Sequence, residues 1–341
     1  MRELLLRRHG ESISPTYATT SGGASWAGGS TAQERPDGQV SGIVKRFNKE
    51  DVASTNVTAL GLIKTRYRHA IEYTGIATTV RGLLIFWGVV GGGVSIFFGQ
   101  LFLLDLVGRG LESTFDQVFS FFSCVFIVVG IYFLLTAIRA EFFRPEDEPI
   151  IFDRKHRKVY RLFREVHPGP IGLFKRWSIH AAEYEWDLID AEHNAVLMTT
   201  GASVMRFHSL MFIVRKSATD PTIIDSFPVG SAIQLGELSV ATVWEHIRRF
   251  MENDGPHLPP GESLNVDKPP RTLWESLAQV GPVGPNYAAT WKSWPLVMVF
   301  YHLLFPFFVP LFFFWGVFNW LSYKTATPVA WPKEVVNAVH Q

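Results

Sequence analysis

Three long apolar runs constrain this chain more than any other feature. Residues 82–108 read GLLIFWGVVGGGVSIFFGQLFLLDLVG, with only Ser95, Gln100 and Asp105 polar in the interior. Residues 118–138 carry no charge, and residues 294–321 carry none apart from His302. A hydrocarbon core about 30 Å thick takes about 20 helical residues. A helix on the surface of a soluble core would show a polar stripe at the helical period, and these runs do not. The first two are read as a transmembrane hairpin. Pro306 and Pro310 interrupt the third, which is read as a Pro-kinked span, with a re-entrant hairpin as the alternative.

Composition agrees with that reading. Of 341 residues, 18% are charged and 14% aromatic, where a soluble domain carries roughly a quarter charged. Disorder is excluded as the overall character. A balance of 32 basic against 31 acidic residues speaks against a nucleic-acid partner. The single cysteine, Cys124, forbids an intrachain disulfide or a multi-cysteine zinc site. The segment ahead of the first run is too long and polar for a signal peptide, so that run is expected to stay as an anchor.

Arg66, Arg68 and Arg81 precede the first run, and Arg139, Arg144, Arg154, Lys155, Arg157 and Lys158 follow the second. Basic residues collect on the cytoplasmic side of a membrane, which places the N-terminus and the middle of the chain there. If the third run crosses, the tail ends outside.

The chain divides accordingly. Residues 1–54 form a polar Gly/Ser/Thr-rich arm, expected to be flexible because it has little apolar surface to offset ordering entropy. Residues 55–81 are a membrane-proximal segment with a helix expected over 55–73, and 82–138 form the hairpin (82–108 and 118–138). Residues 148–255 form a cytoplasmic α+β domain. Its expected strands are 149–153, 158–163, 182–189, 195–199, 204–208, 210–215 and 222–227. Val240, Val243, Trp244, Ile247, Phe250 and Met251 then recur on one helix face, with Glu245, His246, Arg248 and Arg249 on the other. Ser239 is the expected N-cap. Antiparallel strands closed by a C-terminal helix suggest, by analogy alone, a PH-like barrel. A Pro-rich connector (256–293) with a short amphipathic stretch at 272–280 leads to the third run (294–321) and the tail (322–341).

Few motifs carry chemistry. LLLRRHGES (4–12) resembles the Arg-His-Gly signature of histidine phosphatases, in which His9 would be the phosphorylated nucleophile and Arg8 its support. That family needs a long α/β domain behind the motif, and here an arm and a membrane hairpin follow. The reading taken is a basic N-terminus. Gly88, Gly92, Ser95 and Gly99 share one helix face, where small side chains let backbones approach. Packing against the second run is the main reading, and oligomerisation or docking of a foreign helix the alternative. Asp105 and His302 are ionisable groups near membrane depth; an ion pair with Arg109 and a bond to Tyr301 or a backbone carbonyl explain them. Arg154, Lys155, Arg157 and Lys158, with Lys175 and Arg176, form a basic surface that would meet anionic head groups if it lay beneath the membrane, or a protein partner; a solvated hairpin turn is the equal alternative. The histidines show no metal-ligand spacing, and no metal or cofactor is expected.

FDRKHRKVYR, EYEWDLI and WEHIRRFMENDGPHLPP together resemble an uncharacterised family of proteobacterial inner-membrane proteins. Those proteins carry a transmembrane hairpin ahead of a β-rich cytoplasmic domain and are often encoded beside type VI secretion genes and their toxic effectors. The resemblance spans residues 66–260 and brings no catalytic residues. It implies a non-enzymatic protein that binds membrane lipids and a protein partner, as an immunity or accessory factor for a secreted effector. A lipid-sensing scaffold is the alternative.

Overall fold

The computed structural model describes residues 6–8, 33–34, 40–75, 81–109, 113–167, 169–199, 204–230, 235–265, 269–280, 284–285, 287–328 and 330–341. Two helices, α1 (Leu83–Arg109) and α2 (Thr114–Glu141), coincide with the first two apolar runs. Over Leu83–Leu104 and Thr114–Glu141 they are long and apolar enough to cross a membrane. Ser113 caps α2 in a capping box with Asp116.

The described strands form two sheets. One has the order β1-β8-β7-β6-β5-β4, from Leu6–Arg7, Ile179–Glu185, Lys158–Arg164, Ile150–Asp153, Ala70–Tyr73 and Ile63–Arg66. The other has the order β11-β10-β9-β3-β2, from Ile223–Val229, Val204–Arg215, Ile189–Thr199, Val40–Phe47 and Gln33–Glu34. All pairings are antiparallel except β1 with β8. Helix α3 (Glu237–Glu252) shares one core with both: Val240, Trp244, Ile247 and Phe250 pack among Phe152 and Tyr184 of the first sheet and Phe212 and Phe227 of the second. This is an α+β arrangement of mixed sheets dominated by antiparallel pairs.

Several expectations change. The helix expected over 55–73 is instead the hairpin β4–β5, in which Ile63 and Ile71 are core residues; alternation fits this stretch, and the core decided between the two periods. The arm contributes β3, which covers the free edge of β9 and buries Phe47. Backbone pairing recruits it, so its poverty in apolar side chains does not matter. The arm residues 9–32, His9 among them, lie outside the described residues. The expected strand 182–189 is split by a 3-10 turn at Trp186–Leu188, where the chain passes from one sheet to the other and Trp186 becomes fully buried. Residues 204–208 and 210–215 form one strand, β10. Gly236 and not Ser239 occupies the N-cap of α3.

The polar face of α3 is not solvated. Glu245, His246 and Arg248 are all buried because the chain on either side folds over them. Glu245 accepts from the Ala53 amide at 3.0 Å and from Arg248 and Arg249 at 2.8 and 2.6 Å, while Arg248 donates to the Lys49 carbonyl at 3.1 Å. The Glu245 carboxyl is held at about 2, since the bonds from Arg248, Ala53 and Arg249 outweigh its desolvation. His246 bonds the Tyr73 hydroxyl at 2.6 Å and the Pro256 carbonyl at 3.2 Å. Burial lowers its pKa from 6.5 to about 4. The folded state therefore resists protonating it, and the unfolded state takes up the proton first. Stability contributed above pH 6.5 should be lost as pH falls through about 4, by about 3 kcal/mol. Urea unfolding at a series of pH values, compared with His246→Gln, checks this: the variant should lose correspondingly less stability on acidification.

The third run is two helices. Leu304 separates α6 (Pro295–Leu303) from α7 (Phe305–Lys324). The Tyr301 and Phe312 rings lie 5.6 Å apart, whereas eleven residues of straight helix would span about 16 Å. The chain therefore bends sharply. Pro306 sits in the first turn of α7, where its missing N–H costs nothing. Helix α5 (Tyr287–Ser293) also folds against α6, with the Tyr287 hydroxyl 2.9 Å from His302 Nε2. The other ring nitrogen of His302 meets the Met298 carbonyl at 2.6 Å. His302 thus bonds Tyr287 and a backbone carbonyl, that of Met298, the second of its two expected kinds of partner; the side chain of Asp105 lies outside the described ones. Helix α4 (Leu273–Val280) packs on α7, with Leu277 filling the space over Gly316.

Beyond α7 the tail does not leave the domain. Helix α8 (Lys333–His340) lays Val335 and Val339 on Ala70, Ile151 and Tyr160, the outer face of the first sheet. Trp331 Nε1 donates to Glu72 at 3.1 Å. Helix α8 is thus seated on the sheet that follows α2, and the run expected as one Pro-kinked span is two helices, α6 and α7.

Candidate functional site: the collar beneath the apolar hairpin

The small-residue face of α1 meets α2 of the same chain. A Cβ on Gly88 would stand 2.3 Å from the Ala137 Cβ, one on Gly92 2.8 Å from the Gly130 carbonyl, and one on Gly99 2.9 Å from the Ser123 carbonyl. Ser95 Oγ donates to the Phe126 carbonyl at 2.8 Å. The four residues form an antiparallel seam, which leaves the large side chains outside. Trp87, Phe121 and Val128 are 54%, 65% and 64% exposed.

Where this hairpin enters the domain, polar groups close into a collar. Arg81, just ahead of α1, is fully buried. Its Nε donates to Ser322 Oγ at 3.1 Å, and its two terminal nitrogens donate to the carbonyls of Pro145, Glu146 and Ser322 at 2.9, 3.1 and 3.3 Å. The guanidinium also lies over the Tyr323 ring at 4.5 Å. The Arg81 carbonyl accepts from Trp315 and Asn319 of α7 at 3.2 and 3.0 Å. Glu141, the last residue of α2, accepts from the Gly82 amide and from Ser322 Oγ, both at 2.8 Å. Gly82 adopts φ +82°, and a Cβ there would stand 2.4 Å from the Asn319 amide, so the crossing of α1 and α7 requires glycine.

Arg164, from the end of β7, completes the collar. It donates to the carbonyls of Ala140, Arg139 and Phe142 at 3.0, 2.9 and 3.3 Å, satisfying the orphan acceptors at the α2 C-terminus. Burial lowers its pKa to about 10, aided by the cationic neighbours Arg139 and Arg144. The Glu148 carboxyl is pushed up, chiefly by burial. Such a site is built to hold geometry: three apolar helices, the 145–146 segment and the end of β7 are fixed to one another by charges whose bonds are directed inward.

The basic turn lies elsewhere. Strand β7 runs from Lys158 to Arg164, and Arg164 is the end at the collar. Six residue steps put Lys158 about 20 Å away. Three of the four cations there are paired: Arg154 with Asp254 at 2.8 Å, Arg157 with Asp187 at 2.5 Å and Glu252 at 3.2 Å, and Lys158 with Glu183 at 2.5 Å. Lys155 is exposed. Arg157, at φ +52°, takes the left-handed position that an Asn or Gly would usually fill, which is how this hairpin forms without its usual signal. The turn is thus a folded network at the end of the sheet remote from the apolar helices, not a free cationic patch beside them.

Sequence reasoning missed the collar. Its one linear signal is a charge at each end of the hairpin, Arg81 and Glu141; the partners Pro145, Ser322 and Asn319 come from distant segments. A second buried pair, Arg161 with Asp225 at 2.5 Å, also accepts the Tyr184 hydroxyl. His193 and His208 stand 2.8 Å apart on neighbouring strands. Among the described residues no group of three His, Cys, Asp or Glu side chains could hold a metal ion.

A family model described as a family of unknown function (DUF6708) matches residues 127–340. No curated protein and no solved structure matches.

Proposed function

Starting from the family of unknown function DUF6708, to which this chain belongs, we propose an integral membrane protein that acts by contact with another protein. In this reading α1 and α2 cross a bacterial inner membrane, and the two-sheet domain, with the N-terminal arm and the tail, faces the cytoplasm. The partner is a type VI secretion effector, and the protein serves as its immunity or accessory factor. The observation that carries the anchoring is the pairing of an outward-facing apolar surface on α1 and α2 with the polar collar at their base. In water that surface would be a large unprotected apolar patch; in lipid it needs no cover. The bend at Leu304 favours a third segment that enters and leaves on the cytoplasmic side. The domain's ionic groups, engaged in its own architecture, favour a role in binding over one in chemistry.

The proposal separates into two measurements. Membranes from expressing cells, washed with alkaline carbonate, should retain the full-length chain; release into the supernatant would end the anchoring. Co-expression with toxins encoded beside its gene should restore growth for one of them. Growth arrest with every adjacent toxin, together with no co-purifying product of those genes, would end the immunity reading.

A further inference from the structure

A short segment beside the collar is pinned in place and yet displays its apolar side chains. Residues Ile171–Phe174 form a 3-10 turn against α2. Arg139, in the last turn of α2, donates to the Lys175 carbonyl at 2.7 Å, and Trp177 Nε1 donates to the Gly172 carbonyl at 3.0 Å. The Trp177 ring lies beneath the guanidinium groups of Arg139 and Arg164 at 5.6 and 4.8 Å. Gly172 is so closely backed by the His167 carbonyl that no side chain fits inward. Despite this support, Ile171 is 76% and Phe174 90% exposed. Lys175 and Arg176 follow directly and are also exposed, with no carboxylate against either among the described ion pairs.

We propose that this turn is a second, peripheral membrane contact: Ile171 and Phe174 enter the head-group and acyl boundary, and Lys175 and Arg176 meet anionic lipid phosphates. The inference rests on the membrane reading of α1 and α2. Two features identify lipid as the occupant. The turn is level with the last turn of α2, held there by Arg139, so its apolar pair is displayed at the end of the exposed apolar hairpin. The adjoining cations match the negative inner leaflet. The contact fixes the rotation of the domain about the hairpin axis, which a hairpin and collar alone leave free relative to the lipid.

Single-cysteine variants in a Cys124→Ser background supply the test. Phe174→Cys, Phe126→Cys and Lys155→Cys are each labelled with an environment-sensitive dye. Full-length protein is reconstituted into vesicles of equimolar phosphatidylglycerol and phosphatidylcholine containing spin-labelled lipid. The expected result is quenching at 126 and 174 and none at 155. Quenching at 174 should fall in pure phosphatidylcholine, and that dependence should vanish in a Lys175→Gln/Arg176→Gln background. Quenching at 126 with none at 174 overturns the inference and leaves the anchoring intact. No quenching at 126 overturns the membrane reading and this inference with it.

Discussion

Replacing Arg81 with alanine should detach the apolar helices from the domain. The substitution strands the carbonyls of Pro145 and Glu146 and leaves Ser322 with one partner fewer, in a site closed to water. Hydrogen bonds from a charged donor contribute about 1.5–3 kcal/mol each, so the loss should exceed about 3 kcal/mol. In detergent micelles the variant should unfold at markedly lower temperature. Trypsin should also cut between α7 and α8 under conditions in which the parent chain is resistant. Arg81→Lys should recover little, because one ammonium cannot span acceptors on both the 145–146 and the 322 side. Parent-like melting and protease resistance of the alanine variant would show that the collar is not what joins the two parts.

The second large effect is expected at the helix seam. Leucine at Gly92 places a side chain where the Gly130 carbonyl stands 2.8 Å from the Cβ position and the Leu134 Cβ 3.1 Å. Neither is the end of a flexible chain, so α1 and α2 must separate, at a cost of about 3 kcal/mol. The neighbouring Gly93 is the control, since a Cβ there meets nothing within 4 Å. Gly93→Leu should be neutral or slightly stabilising, leucine being the better helix former by under about 1 kcal/mol. Thermal unfolding in nanodiscs compares the pair, and equal effects at 92 and 93 would dismiss the seam. A loss confined to Gly92→Leu that disappears on dilution would instead assign the stripe to contact between copies.

How much of this was legible depended on whether a feature repeats locally. The apolar runs of α1 and α2, the i, i+3, i+4 face of α3 and the small-residue stripe are each written at the period of a single helix, and each lies where that period put it. The seam even has a linear signature, because glycine at one-turn intervals has little use in a helix except close approach. What failed was what depends on a partner. Residues 55–73 mix apolar and basic residues in a way that serves either period, and only the core beneath Ile63 and Ile71 selects a strand. Glu245, His246 and Arg248 read as a solvated face until residues 49–54 and 256 cover it. Arg154 to Lys158 read equally as a surface for lipid or partner and as a solvated hairpin turn; the carboxylates that pair with them come from 183, 187, 252 and 254 and leave no trace in the stretch itself.

By itself the sequence determined which segments are too apolar for water and which helix faces turn inward, because burial of side chains at a fixed period is a local property of the chain. Only the tertiary structure decided which sheet the tail packs on, where the third run bends and what ties the hairpin to the domain. Those outcomes rest on single directed bonds between residues far apart in the chain, such as Arg81 to Pro145 and Ser322, or Trp331 to Glu72. A bond of that kind leaves no period to read.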